Sequence, residues 1–376
     1  MKRFISLIFT ALFCAAMLSI NVFASEHNAK AMIIYEPRTG TILAEANAEE
    51  RMLIASTTKI MTAMLVIEHC DMDEQVLVTD AHLAVEGSSA RLCAGENYSV
   101  YELLCGLLLA SGNDAAMALA EHTAGSVENF AALMNQKCTE LGLANTHFSN
   151  PHGLDDAAHY SSAHDLAIIT AAAMESEIFS EIFSLKSCHV HGVTYSNHNK
   201  LLTDYQDCIG GKTGYTKAAG RVLVSCAERG DLRLICVTID DPDDWKDHKN
   251  LYDNTFASWR YLQLPAAEWS SVAVISGNQE NAALSCSLDG VVLPAEAEIQ
   301  MDVELPSFVF APLQRGQVLG RVTVFADDNM VLSTEILAAE DCLRDDSVPL
   351  KIGEKIHRGW KMYCRYGMNM IYPPIC

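Results

Sequence analysis

Seven residues in three short motifs could together carry nucleophilic catalysis. In chain order they are Ser56, Lys59, Ser111, Asn113, Lys212, Thr213 and Gly214. A serine hydroxyl is a poor nucleophile until a base removes its proton. A lysine can be that base if burial and a second cation lower its pKa enough to leave the amine neutral. Ser56 and Lys59 stand three residues apart, which places both on one face of a helix, and Ser-Lys pairs are a known variant of serine catalysis.

The same residues also allow a purely structural interpretation. A serine at a helix start can accept hydrogen bonds from free backbone N–H groups, so Ser56 could simply cap a helix that begins near Lys59. Ser111 and Asn113 could cap a second helix that begins near Asp114. The spacing within one motif does not decide between a cap and a catalytic group.

The order of the motifs is more specific than any one of them. The Ser-x-Asn pattern recurs at 276–278, and Lys212 taken alone could be a solvated strand residue. Together, Ser-x-x-Lys, Ser-x-Asn and Lys-Thr-Gly match the set of penicillin-binding proteins and β-lactamases. This order favours catalysis for Ser56 and leaves the capping role to Thr57, Thr58 or both.

From about Lys30 to Tyr261 the sequence resembles the D-alanyl-D-alanine carboxypeptidases, the low-molecular-mass penicillin-binding serine peptidases. The likeness extends to "GSSARL", "LLLASGNDAAMALAEHTAGS", "LGLANTHFSNPHGLDD", "YSSAHDLA" and "GGKTGYTKAAGR". It implies an α/β fold, with a β-lactamase/transpeptidase-like domain (an antiparallel sheet with a helical lobe) followed by a small all-β domain. It also implies an enzyme without a cofactor that removes the terminal D-alanine from peptidoglycan pentapeptide stems ending in D-Ala-D-Ala, and that β-lactam antibiotics inhibit.

The resemblance implies four catalytic residues. Ser56 would be the nucleophile that carries the acyl ester, and Lys59 would be its general base. Ser111 would relay a proton to the leaving D-alanine, and Asn113 would hold the amide of the substrate.

The resemblance also implies the binding groups. Lys212 and Thr213 would bind the terminal carboxylate, and Gly214 would let the backbone of its strand approach the substrate. The backbone N–H groups of Ser56 and Tyr215 would form the oxyanion hole.

One segment departs from the family pattern. The family often has a basic residue after the last strand that assists carboxylate binding, whereas this chain reads "DDPDDWKDHKN" there. Lys246 or His248 could take that role. Elsewhere in the chain, His152, His159 and His164 cluster in sequence, but they do not have the spacing of a zinc site, so no metal is expected.

Two other functions use the same motifs. A class A β-lactamase needs a glutamate for deacylation, but 150–175 contains no Glu-x-x-x-Asn pattern, and the second motif is Ser-Gly-Asn rather than Ser-Asp-Asn. A non-catalytic penicillin-binding scaffold would not need all the motif side chains, which are intact here. Endopeptidase action on cross-links stays open.

Hydrophobic patterns predict the elements that position these motifs. The stretch 31–46 forms two short apolar runs around a Pro- and Gly-containing turn, which predicts a hairpin. Helical periodicity predicts helices over 59–69, 101–110, 113–124, 127–142, 162–175 and 243–261, with Ser161 or Ser162 as the cap of the fifth. The runs "RVLVSCAE" and "LRLICVTID" predict a second hairpin after the Lys-Thr-Gly motif.

Composition and the chain ends indicate an exported protein. A charged start, an apolar run and small residues predict a signal peptide at 1–24, which implies an extracytoplasmic location at the cytoplasmic membrane or cell wall. The formal net charge of −22 argues against nucleic acid as a partner. Cys105 and Cys236 lie in apolar runs, which favours free buried thiols over disulfides.

The remaining sequence predicts a catalytic domain at 25–264, an all-β domain at 265–345 and a tail at 346–376. The tail is basic and aromatic, a pattern that suits a membrane-surface anchor. A helix that packs on the acidic body is the alternative.

Overall fold

The computed structural model describes residues 27–264, 271–286 and 290–345. The predicted signal peptide at 1–24 and the predicted tail at 346–376 lie outside the described residues. The described residues divide into two units, one of 27–264 with 290–297 and one of 271–286 with 298–345. None of the helices in the described ranges is long and apolar enough to cross a membrane.

The helices of the described part follow in chain order. They are α1 Lys59–His69, α2 Asp80–Leu83, α3 Val100–Leu108, α4 Asn113–Ala124, α5 Val127–Glu140, α6 Ala163–Ala173, α7 Glu177–Ser184, α8 Leu201–Asp204 and α9 Asp244–Ser258. The predicted helices 59–69 and 113–124 match α1 and α4, and three others match α3, α5 and α6 within a few residues. Ser162 accepts a hydrogen bond from the backbone N–H of Asp165 and caps α6 as predicted.

The strands complete the elements. The first ten are β1 Ala31–Glu36, β2 Thr41–Ala46, β3 Gln75–Leu77, β4 Asn97–Ser99, β5 Ser187–Val190, β6 Val193–Ser196, β7 Cys208–Thr216, β8 Gly220–Arg229, β9 Leu232–Ile239 and β10 Trp259–Gln263. The others are β11 Ser271–Ile275, β12 Asn281–Cys286, β13 Gly290–Pro294, β14 Ile299–Glu304, β15 Phe308–Phe310, β16 Val318–Ala326 and β17 Asn329–Ala338.

The first unit is built on an antiparallel five-stranded sheet in the order β2-β1-β9-β8-β7. Both predicted hairpins, β1–β2 and β8–β9, are part of it. Alternate side chains of β1 enter different cores: Ile33 packs with the helical lobe, whereas Met32 and Ile34 pack on the side of α9. Because both faces of the sheet are covered, β8 and β9 are continuous apolar runs.

The helix predicted over 243–261 is wrong at its end. Helix α9 stops at Ser258, and the next five residues form β10, which pairs with β13. The pairing partner comes from a distant part of the sequence, so a local helical pattern did not reveal it. The predicted domain boundary between 264 and 265 stays a prediction, and β13 belongs to the first unit.

The second unit is all-β in its described part, as predicted. Six strands form one sheet in the order β14-β16-β17-β12-β11-β15. Its small core is formed by Val272, Ala282, Leu313 and Cys342. The alternation in runs such as "RVTVFA" arises because one face of a strand is buried and the other is solvated.

Candidate active site

Ser56 and Lys59 lie at the start of the central helix α1. Ser56 is in a single 3-10 turn, Ala55–Thr58, and Lys59 is the first residue of α1 and fully buried. The Nζ of Lys59 lies 3.0 Å from the Oγ of Ser56. The i,i+3 spacing thus brings amine and hydroxyl into hydrogen-bond contact.

The other contacts of Lys59 determine how its amine is oriented. Its Nζ donates to the Oδ1 of Asn113 at 2.7 Å and to the carbonyl of His152 at 2.7 Å. Burial and the nearby charge of Lys212 hold the pKa of Lys59 well below its usual value. A neutral amine has two N–H groups and one lone pair. In the neutral amine the two N–H groups would serve these two acceptors, which leaves the lone pair for the hydroxyl of Ser56, as a general base requires.

Asn113 is held so that its oxygen faces Lys59. Its Nδ2 donates to the carbonyl of Glu86 at 2.6 Å, which leaves Oδ1 as the acceptor for Lys59. The helix α4 begins at Asn113, but its N-cap residue, Gly112, makes no side-chain cap. Neither Asn113 nor Ser111 therefore has the capping role that the local sequence allowed.

Ser111 and Lys212 form a second buried pair. The Nζ of Lys212 donates to the Oγ of Ser111 at 2.9 Å and to the carbonyl of Thr213 at 2.7 Å. Burial lowers the pKa of Lys212 to about 7. Ser111 has a positive φ of 58°, a conformation that costs energy for a residue with a side chain and is often found at functional sites.

The expected caps at Thr57 and Thr58 are wrong. Their hydroxyls instead donate backwards, to the carbonyls of Ile54 at 2.6 Å and Ala55 at 2.8 Å. Thr58 precedes α1 but makes no side-chain cap. Since the 3-10 turn lies before α1, these hydroxyls brace the turn that carries the serine.

His159 supports the same turn. Its Nδ1 accepts from the backbone N–H of Ser149 at 3.2 Å, and its Nε2 lies 2.8 Å from the Oγ1 of Thr58. Burial lowers the pKa of His159 to about 4, so the ring is neutral at pH 7. The neutral ring then carries its proton on Nε2 and donates to Thr58, which donates to the carbonyl of Ala55.

Gly153 is required by a close backbone approach beside this turn. A Cβ on Gly153 would overlap the carbonyl oxygen of Ala55, and its φ of +89° already disfavours other residues. We expect Gly153→Ala to lower the free energy of unfolding by about 3 kcal/mol or more and to slow acylation of Ser56.

Gly142→Ala is the matched control, because Gly142 also has a positive φ (+72°) but no atom within 4 Å of an added Cβ. It should cost about 1 kcal/mol and leave acylation unchanged. Chemical denaturation and labelling with a fluorescent penicillin measure both effects. Equal losses in the two variants would contradict the importance of the contact with Ala55.

The Lys-Thr-Gly segment lies on β7, an edge strand of the five-stranded sheet. A Cβ on Gly214 would lie 2.9 Å from the carbonyl oxygen of Ile54 and 3.1 Å from the backbone nitrogen of Ser56. Glycine therefore lets the edge strand come close to the backbone of the nucleophile. An edge strand can also pair its free backbone groups with an extended peptide.

A cleft of about 350 Å³ opens at this place. Its lining includes Ser56, Ser111, Thr213, Gly214 and Tyr215. The side chain of Tyr215 is largely exposed, with 67% of its surface accessible.

Comparison with known proteins identifies the family. A model of the D-alanyl-D-alanine carboxypeptidase family (peptidase S11) matches residues 19–243. The D-alanyl-D-alanine carboxypeptidase DacF of Bacillus subtilis is 32% identical over 334 residues, which cover 84% of this chain and 86% of that protein. The chain belongs to this family.

Solved structures of the family agree with the fold. The superposition on penicillin-binding protein 5 from Haemophilus influenzae has a TM-score of 0.74 at 31% sequence identity. It covers 85% of this chain and 98% of that protein. Penicillin-binding protein 6B from Escherichia coli has a TM-score of 0.69 at 28% identity, covering 82% and 95%. A second model, the C-terminal domain of penicillin-binding protein 5, matches residues 266–344. These matches confirm the predicted family, fold class and enzyme class, a serine-type carboxypeptidase.

The structure brings together the side chains that the sequence picked out. Ser56, Lys59 and Asn113 form one hydrogen-bonded group, and Ser111 and Lys212 form another. The carbonyl of His152 was missed, because a backbone acceptor has no signature in the sequence. Asp114 was also missed: it accepts from the backbone N–H of Ala90 at 2.8 Å and from the hydroxyl of Ser89 at 2.6 Å, which fixes the "GSSARL" segment beside the site.

Neither proposed helper for the carboxylate fits its role. His248 is fully buried between the hydroxyls of Ser225 and Thr238, at 2.7 and 3.0 Å, and burial lowers its pKa to about 3. Lys246 is exposed and is absent from the lining of the cleft.

The three histidines of the "NPHGLDD" region do not converge on one point. His152 contributes its carbonyl and His159 braces Thr58, whereas His164 lies beside Glu49 and Asp165. Two groups of side chains in the described part have the composition of a metal site, and neither includes a residue of the cleft: Glu49, His164 and Asp165, and Cys70, Glu74 and His122.

Proposed function

We propose that this chain removes the terminal D-alanine from peptidoglycan stem pentapeptides ending in D-Ala-D-Ala, with Ser56 as the nucleophile. The observation that carries this proposal is the orientation of Lys59. Its two fixed acceptors, Asn113 and His152, leave the lone pair of a neutral amine for the hydroxyl of Ser56.

In the acylation step, Lys59 takes the proton of Ser56 while Oγ attacks the carbonyl carbon of the penultimate D-alanine. The carbonyl oxygen becomes an oxyanion, which the backbone N–H groups of Ser56 and Tyr215 would stabilise. The close approach of β7 to the Ser56 backbone at Gly214 supports that pair of donors.

Collapse of this intermediate needs a proton on the leaving nitrogen. Ser111 lines the cleft and accepts a hydrogen bond from Lys212, so Ser111 can give its proton to the leaving D-alanine and regain one from Lys212. The C–N bond breaks, free D-alanine leaves, and the peptide stays as an ester on Ser56. Lys59 then releases to solvent the proton that it took from Ser56, and Lys212 regains one from solvent. The neutral Lys59 can accept a proton from the water that attacks the ester, and it returns this proton to the Oγ of Ser56 as the C–O bond of the ester breaks.

Substrate binding uses the edge of the sheet. The peptide would lie along β7 as an added strand, with its terminal carboxylate near Lys212 and Thr213. Asn113 would hold the amide of the substrate. Stem peptides lie outside the cytoplasmic membrane, in agreement with the signal peptide predicted at 1–24. The membrane-surface role of 346–376 stays a prediction.

Release of D-alanine tests the function directly. The full chain without residues 1–24 should release one D-alanine from a pentapeptide ending in D-Ala-D-Ala, and penicillin should block this release by acylating Ser56. Ser56→Ala should lose both D-alanine release and labelling. Stoichiometric labelling of the wild type with no release of D-alanine would overturn the carboxypeptidase proposal. Rapid multiple turnover of penicillin would instead support a β-lactamase.

A further inference from the structure

Arg221 lies beside the Lys-Thr-Gly segment. It is on β8, lines the cleft with Ser56 and Thr213, and pairs in register with Tyr215 of β7. Residues two apart on a strand share a face, and directly paired residues lie side by side. Its side chain is therefore on the face of the sheet that carries those of Thr213 and Tyr215.

The guanidinium of Arg221 is held in place from the helix α9. Its Nε donates to Oδ2 of Asp244 at 3.1 Å, and its Nη2 donates to Oδ1 at 2.8 Å. The side chain of Asp244 is only 3% exposed. The ring centroid of Trp245 lies 5.7 Å from the Arg221 Cζ. The first two residues of α9 thus fix the plane of the guanidinium.

Donors remain for a ligand. Arginine has five N–H donors, and the two contacts with Asp244 leave both on Nη1 and one on Nη2. The side chain of Arg221 is 42% exposed although its partner is buried. An oriented guanidinium loses little side-chain entropy on binding a carboxylate.

We propose that Arg221 is a specificity-determining residue that recognises the free C-terminal carboxylate of the stem peptide. Its remaining N–H groups donate to a carboxylate oxygen, while Asp244 and Trp245 hold the guanidinium in position. Arg221 lies on β8, the strand next to β7. It thereby takes the role of the basic residue that the family often has after the last strand, where this chain has the acidic segment "DDPDDWKDHKN". This inference rests on the proposed function.

The test compares two substrates that differ only at the C-terminus. One is an N-acylated L-Lys-D-Ala-D-Ala with a free carboxylate, and the other is the same peptide as its C-terminal carboxamide. We expect Arg221→Gln to lower kcat/KM for the free acid by about 10- to 100-fold, because a charge-assisted hydrogen bond is lost. The value for the carboxamide should change by less than about twofold. A purely structural role of Arg221 would lower both values equally, which would overturn the inference.

Lys246→Gln is the matched control, since it removes one positive charge from the same segment without touching the cleft lining. Lys200→Gln removes an exposed cation that does line the cleft. Both variants should keep the preference for the free acid. If either loses it as Arg221→Gln does, the effect belongs to general electrostatics and the inference fails.

The double variant Arg221→Gln, Asp244→Asn guards against misfolding, because it leaves no buried carboxylate without its partner. It should melt cooperatively and still lose the preference for the free acid; a retained preference would overturn the inference.

Different results would contradict the inference and the proposed function. If the wild type releases D-alanine but Arg221→Gln keeps its substrate preference, only the inference falls. If the wild type releases none from the free acid, the proposed function falls.

Discussion

Replacing Lys59 with arginine should lower the rate of acylation of Ser56 by about 10³-fold or more. General-base catalysis contributes about 10²- to 10⁴-fold, and a guanidinium cannot give up its proton, so no lone pair would face the hydroxyl. The larger side chain would also have to fit among Asn113, His152 and Ser56, where the amine now contacts all three. Stopped-flow or gel-based labelling with a fluorescent penicillin gives the second-order rate.

Lys246→Arg is the control for this exchange, since Lys246 is exposed and lies outside the cleft lining. It should be labelled at the wild-type rate. A thermal melt of Lys59→Arg separates loss of chemistry from loss of fold. Near-normal labelling of folded Lys59→Arg would remove Lys59 from the proposed mechanism.

Local patterns predicted those parts of the fold that depend on local sequence. Helices α1 and α4 have apolar faces along a continuous stretch, so their ends could be predicted closely. Strand β10 could not, because its pairing with β13 is set by residues about thirty positions away. The caps expected at Thr57 and Thr58 were wrong for a related reason. Their hydroxyls donate to the carbonyls of Ile54 and Ala55, at the start of a 3-10 turn that the helical pattern does not predict.

The candidate site divides in the same way. The order of the motifs predicted Ser56, Lys59, Ser111 and Lys212, because the roles of these residues depend on side-chain type, which the sequence shows directly. The carbonyl of His152 and the pairing of Arg221 with Asp244 depend on how distant backbones meet. No residue type or spacing signals such contacts, so the orientation of the general base had to come from the structure.

Lys212→Met should lower activity and raise stability at the same time. Burial lowers the pKa of Lys212 from 10.5 to about 7 in the folded protein. Between these two values the unfolded chain binds a proton that the folded chain lacks, so the free energy of unfolding rises with pH in this window. The destabilisation is therefore largest at pH 7 and below, and it shrinks as the pH approaches 10. Methionine binds no proton in either state, so the Lys212→Met variant lacks this destabilisation.

At pH 7 the free energy of unfolding of Lys212→Met should be higher than that of the wild type by about 2–4 kcal/mol. This net value includes a loss of about 1–2 kcal/mol, because Ser111 and the Thr213 carbonyl lose a hydrogen-bond donor. Urea unfolding at pH 7 and pH 9.5 measures this gain, which should be smaller at pH 9.5.

The rate of acylation of Lys212→Met by penicillin at pH 7 should fall by about 100-fold. Removing the neighbouring cation also raises the pKa of Lys59, so Lys59 keeps its proton to higher pH and the lost rate should return in part near pH 9. A uniform loss of rate from pH 6 to 9, with no gain in stability at pH 7, would show that Lys212 neither carries a buried charge nor tunes Lys59.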